Sequence, residues 1–130
     1  LADTHPPMSI QPALAEFIDA GHLSGHIRRM RALYAARQRA LLEACRTHLA
    51  PWLSVAPDDA GMHLVAGLRA GLDDRIVSAA ARRHGVEAPA LSTYYTSLPP
   101  RQGLLLGYAG IAEREIGHAA ARLRDALADL

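Results

Sequence analysis

The chain has 130 residues, half of them hydrophobic, and a formal net charge of +1. It can bury one sizeable core and is too evenly charged for a general nucleic-acid binder. All fourteen of its Lys-plus-Arg residues are arginine, which excludes from these residues an internal Schiff base with pyridoxal phosphate or a carbonyl substrate, and a P-loop phosphate ligand.

Residues 1–11, with Pro6 and Pro7, read as an irregular lead-in, and a start without methionine reads as that of a fragment of a larger protein. Pro12 to about Ala20 predicts a short helix: Leu14, Phe17 and Ile18 form a stripe and Gly21 ends it. A long helix follows from about His22 to Leu49. Ile27, Met30, Tyr34, Leu41, Cys45 and His48 or Leu49 recur at three- and four-residue spacing, while Arg28, Arg29, Arg31, Arg39 and Glu43 take other faces. At 1.5 Å per residue that element is roughly 40 Å long, long enough to lean on something outside the fragment. Pro51 closes it.

Trp52 to Ala56 and Met62 to Ala66 are strand candidates joined by the turn Pro57-Asp58-Asp59-Ala60-Gly61. Gly67 and Gly71 interrupt, and a helix runs from about Leu72 to His84, with Asp73 and Asp74 at its positive end and Arg82, Arg83 and His84 at its negative end. Gly85 is the expected left-handed stop. Val86 to Leu91 is a short strand candidate that Pro89 keeps at an edge or irregular. After the turn Pro99 to Gly103, the apolar run Leu104 to Ala109 is the best strand, and a helix covers about Ala112 to Leu127. The sum is one α+β domain over 1–130, an α/β sandwich with a small sheet of three to four mostly antiparallel strands packed by helices.

Few residues offer chemistry. Cys45, mid-helix with no base fixed beside it, reads as a small buried hydrophobe. His22 and His26 form a helical i, i+4 pair without an acidic or cysteine partner, so no metal site is expected. The cluster Arg28, Arg29, Arg31, Arg37 and Arg39 reads as a solvated basic side of an amphipathic helix, suited to partner packing better than to a phosphate backbone. His63 alternates away from Leu64 and faces either a ligand or a structural partner. Tyr94 and Tyr95, in Ser92-Thr93-Tyr94-Tyr95, sit in a polar aromatic loop suited to a pocket wall. GLLLGYAG has the wrong spacing for a dinucleotide loop. No catalytic, metal-ligating or cofactor-binding residue is assigned, and the fragment by itself is expected to catalyse nothing. No apolar run nears the roughly 20 residues of a membrane span, so a cytoplasmic protein is expected.

The succession QPALAEFIDAGHLSGHIRRMRALYAARQRALLEAC, GMHLVAGL, ALSTYY and GLLLGYAGI resembles the carboxy-terminal end of MocR-type regulators of the GntR family, over roughly Ile10 to Leu130. The resemblance implies the small subdomain of an aminotransferase-like domain of fold type I. It also implies a parent protein that joins this piece to a large aminotransferase-like subdomain and a winged helix-turn-helix DNA-binding domain, dimerises, and uses pyridoxal 5′-phosphate as a sensor. The lysine, aspartate and phosphate loop that hold the cofactor would lie upstream of Leu1, and none is expected bound covalently here. The substrate-carboxylate arginine of aminotransferases falls at Leu105 or a neighbour, with Arg101 just upstream. A leucine there suits an effector lacking that carboxylate, such as the cofactor itself. The effector-pocket candidates are therefore His63, Tyr94, Tyr95, Arg101 and Leu105. Two other readings compete: the small subdomain of a genuine aminotransferase, and a module that dimerises through its long helix.

Overall fold

A computed structural model of the chain describes residues 21–58, 62–94 and 102–130. The expected helix at Pro12 to Ala20, and parts of the two turns before the second and third strands, lie outside these residues. In chain order the elements are α1 (His22–His48), β1 (Leu53–Val55), β2 (His63–Leu68), α2 (Asp74–Arg83), a single 3-10 turn (Leu91–Tyr94), β3 (Gly103–Gly107) and α3 (Glu113–Ala128). The chain divides into two compact units, Leu1–Leu33 and Tyr34–Leu130. The described part of the first consists of the opening turns of α1, where Ile27 and Leu33 are exposed along with the arginines between them. The sheet and its core belong to the second.

The three strands are antiparallel in the order β1-β2-β3. Alternation along them gives the sheet two unlike faces. Leu53, Leu64, Ala66, Leu104 and Leu106 are buried on one face. There Leu53, Ala66, Leu104 and Leu106 join Ala44 and Cys45 of α1, Leu49 just after it, Val77 and Ala81 of α2, and Ile116, Ala120, Leu123 and Leu127 of α3 in one core, while Leu64 packs with Leu42 and Tyr108 in a second, smaller cluster. This is an α+β fold of a small antiparallel sheet covered by helices on one side. At roughly 25 cal/mol per Å² of apolar surface removed from water, this shared core is the main source of stability.

Two expectations change. Gly67 does not interrupt the second strand but pairs with Ser54 and Gly103 inside it. Val86 to Leu91 is not a strand: it makes a single bridge, Ala90 to Leu104, with the Leu105 N–H donating to the Pro89 carbonyl at 2.9 Å. Pro89 has no N–H to return to a ladder, so the pairing stops after one step.

Helix α2 is capped at both ends. The Asp73 carboxylate accepts from the Arg75 N–H at 2.9 Å. At the other end Gly85 takes φ +81°, its N–H donates to Arg82 and that of Val86 to Ala81, the paired bonds of a Schellman stop that only glycine enters without strain.

One residue then ties three elements together. Asp74, fully buried, accepts from the Ser92 N–H at 2.8 Å, the Ser92 hydroxyl at 2.6 Å and the Gly103 N–H at 3.1 Å, and its own N–H donates to Gln102 Oε1 at 2.7 Å. The carboxylate sits in the first turn of α2, where the helix dipole favours a negative charge. Gly103 must be bare for this approach, because a Cβ there would stand 2.6 Å from the Ala66 carbonyl oxygen. Asp74→Ala strands two buried N–H groups, so urea denaturation should show a loss of about 3 kcal/mol. The exposed cap change Asp73→Ala should cost about 1 kcal/mol. Equal losses from the two substitutions would refute the anchoring role.

Candidate functional site

The face of the sheet opposite the core carries His63, Val65, Gly67, Gly103, Leu105 and Gly107. Register places His63 opposite Gly107, Val65 opposite Leu105 and Gly67 opposite Gly103. The His63 ring lies over bare backbone, since a Cβ on Gly107 would meet its Cδ2 at 3.3 Å. Val65 is 39% exposed and Leu105 is half-buried. The face thus offers an imidazole at one end, an apolar cross-strand pair in the middle and glycine backbone at the other. Such a surface packs against a flat or apolar group and supplies one nitrogen able to donate or accept. Among the described residues it presents no guanidinium and no carboxylate.

The structure therefore brings together two of the five candidate residues. Tyr94 ends the 3-10 turn and is 62% exposed. Tyr95 and Arg101 lie outside the described residues. His63 and Leu105 share the face because both are odd positions of adjacent strands, which alternation in the sequence anticipates.

A second constellation holds the His63 end of the sheet, and sequence reasoning missed it. Tyr34 and Tyr108 meet edge to face, with ring centroids 6.4 Å apart. Gln38 Nε2 donates to the Tyr108 hydroxyl at 3.1 Å and to the Asp58 carbonyl, while its Oε1 accepts from the Asp58 N–H at 3.3 Å. Arg37 lies 6.0 Å over the Tyr34 ring and donates to the Ala109 carbonyl, and its buried Nε has no partner among the described residues. Arg37 is thus half-buried and is not part of a solvated basic side. The reason is that Tyr34, Arg37 and Gln38 are i, i+3 and i+4 on one helix face, and Tyr108 draws that face onto the end of β3. The spacing was legible, but its target seventy residues away was not.

No protein-family model matches the chain. Curated relatives do. It is 43% identical over 122 residues, 94% of its length, to the probable rhizopine catabolism regulatory protein MocR of Rhizobium meliloti. It is 34% identical over 120 residues to an uncharacterised HTH-type transcriptional regulator, YhdI, of Bacillus subtilis. The chain is a homologue of MocR-type regulators of the GntR family. It spans about a quarter of the length of these relatives.

Solved structures place the fold of this MocR homologue. An α-aminoadipate aminotransferase from Thermus thermophilus matches 98% of the chain at a TM-score of 0.83, with 24% identity over 33% of that enzyme. A kynurenine aminotransferase from Pyrococcus horikoshii matches 87% of the chain at 0.76, with 23% identity over 28% of the enzyme. The likeness establishes the small-domain fold of aminotransferases of fold type I. No helix among the described residues is long and apolar enough to cross a membrane, and no group of three or more His, Cys, Asp or Glu among them is placed to hold a metal.

The sole thiol of the MocR-like chain is built into its core. Cys45 is 4% exposed, and burial pushes its pKa from 9.0 up to about 11 against the pull of Arg46. Folding therefore favours the protonated thiol. This contribution to stability is full below pH 9 and is lost as pH rises toward 11. A thiol-reactive dye at pH 8 should label Cys45 slowly in the folded chain and rapidly in urea. In Cys45→Ala the corresponding alkaline decline in stability should be absent. Rapid labelling of the folded chain would contradict the burial.

Proposed function

We propose that this chain is the effector-sensing small subdomain of a pyridoxal 5′-phosphate-dependent transcription regulator, and that its open sheet face forms one wall of the effector pocket. The observation that carries the reading is His63 beside the Val65–Leu105 pair on the sheet face opposite the core of the described residues. Its setting is a chain 43% identical to a regulatory protein. In this reading the parent is a cytoplasmic homodimer. A winged helix-turn-helix domain contacts DNA, and a large aminotransferase-like subdomain faces the open sheet.

The cofactor, when bound, supplies an aldehyde that joins reversibly to amines. With no lysine among the 130 residues, its covalent anchor is a residue of the parent outside this chain. What the chain contributes is shape and polarity. Gly67 leaves backbone open for the close approach of a flat group, Val65 and Leu105 exclude water, and His63 orients a polar substituent. Tyr94, Tyr95 and Arg101 belong to the pocket rim in this reading.

Leu105 decides the class of effector. A carboxylate is best held by a bidentate guanidinium, and a leucine on this face selects a ligand without one. The similarity to an α-aminoadipate aminotransferase, a structure containing N-(5′-phosphopyridoxyl)-L-leucine, supports the second reading, a subdomain of a genuine aminotransferase. Titrating the intact protein with free pyridoxal phosphate, and separately with amino acids, distinguishes the two. A change in visible absorbance with the cofactor and little response to amino acids is expected, with Leu105→Arg gaining an amino-acid response of about tenfold or more. A wild-type response to amino acids alone would sink the first reading in favour of the second.

A further inference from the structure

On the helical side of the sheet, away from His63 and Leu105, lies a cleft of about 250 Å³ between α3, the segment after α2 and the end of β3. Its walls are mostly apolar and include Leu41, Leu49, Val86, Leu106, Ile116 and Leu123. It forms where Val86 to Ala88 diverges from β3, since the pairing that begins at Ala90 and Leu104 stops at Pro89. The volume exceeds the roughly 150 Å³ of an engineered dry cavity that admits benzene.

Two polar groups at this cleft have unused donors. Strand register settles the first. The Tyr108 N–H donates to Met62 and the Leu68 N–H to Gln102, so residues 104, 106 and 108 direct their N–H groups at β2. Those of 103, 105 and 107 point outward: Gly103 reaches Asp74, Leu105 reaches Pro89, and among the described residues nothing accepts from Gly107. The second group is Arg122, whose side chain runs past Gly85 at the mouth. Arg46, Arg82 and Arg124 each pair with a carboxylate, whereas Arg122 has none among the described residues. Glu87 shares the mouth but is already paired with Arg82 at 3.3 Å.

We infer that this cleft is a binding site for a small apolar monocarboxylate, with its hydrocarbon part against Leu106 and Leu123 and its carboxylate at Arg122 and the Gly107 N–H. The apolar volume takes the tail, and the free guanidinium and outward amide fix the charge of the head. The site does not rest on the cofactor reading, because it uses the core side and the outer edge of β3.

Calorimetric titration of the intact protein with phenylacetate, and with phenylacetamide as its uncharged counterpart, tests the site. Phenylacetate should bind with a dissociation constant of about 1 mM or tighter. The amide, or phenylacetate with Arg122→Gln, should bind about tenfold more weakly. Ala119→Leu, which fills the cleft, should abolish binding. Arg122 is exposed, so its variant remains informative even if the filled cleft destabilises the fold. Equal binding of acid and amide, or undiminished binding by either variant, would overturn the proposal, as would no binding of phenylacetate at all.

Discussion

The architecture depends on a buried carboxylate that has no countercharge among the described residues. Asp74 is held by two backbone N–H groups and a hydroxyl, and by its place in the first turn of α2. Burying an ion costs several kcal/mol unless such groups replace water, so the site is stable only when all three elements meet there. The same bonds set where β3 begins. With Gly103 fixed against Asp74 and against the Ala66 carbonyl, the register of β2 with β3 follows. With it comes the side of the sheet to which each β3 residue belongs.

That strand has side chains on both faces of the sheet and backbone N–H groups along both of its edges. Leu106 points into the core and the apolar cleft, Leu105 into the open face, and the outward N–H groups alternate with those that bind β2. A one-residue slip would exchange these roles and expose Leu104 and Leu106. The packing of Tyr108 against Tyr34 and Gln38 secures the far end of the same strand. One strand is thereby pinned at both ends by side chains from elements distant in sequence. A short edge strand with only one full partner needs such supports, because its own ladder supplies few hydrogen bonds.

The homology and the fold assign different things. Identity to MocR-type regulators connects the chain to a regulatory family. The aminotransferase likeness fixes the small-domain fold and, at these identities, no chemistry. The open face joins them physically. Among the described residues it combines an exposed valine and histidine with a half-buried leucine.

By itself the sequence determined α1, α2 and α3, the three principal strands, the Gly85 stop and the buried thiol. Each is a local signal: apolar periodicity, a left-handed glycine, a cysteine on an apolar stripe. It also determined that no lysine-based chemistry resides here, and alternation put His63 and Leu105 at positions able to share a face. Only the tertiary structure decided that Gly67 lies within a strand, that Pro89 ends a would-be fourth strand after one bridge, and that Arg37 turns inward. It alone decided that Asp74 is an anchor and not merely a favourable charge at a helix start. The physical reason is common to these cases. Each depends on a partner far along the chain, whether Gly103 for Asp74, Ala109 for Arg37 or Leu104 for Ala90. Local propensity carries no information about which distant backbone group will be waiting.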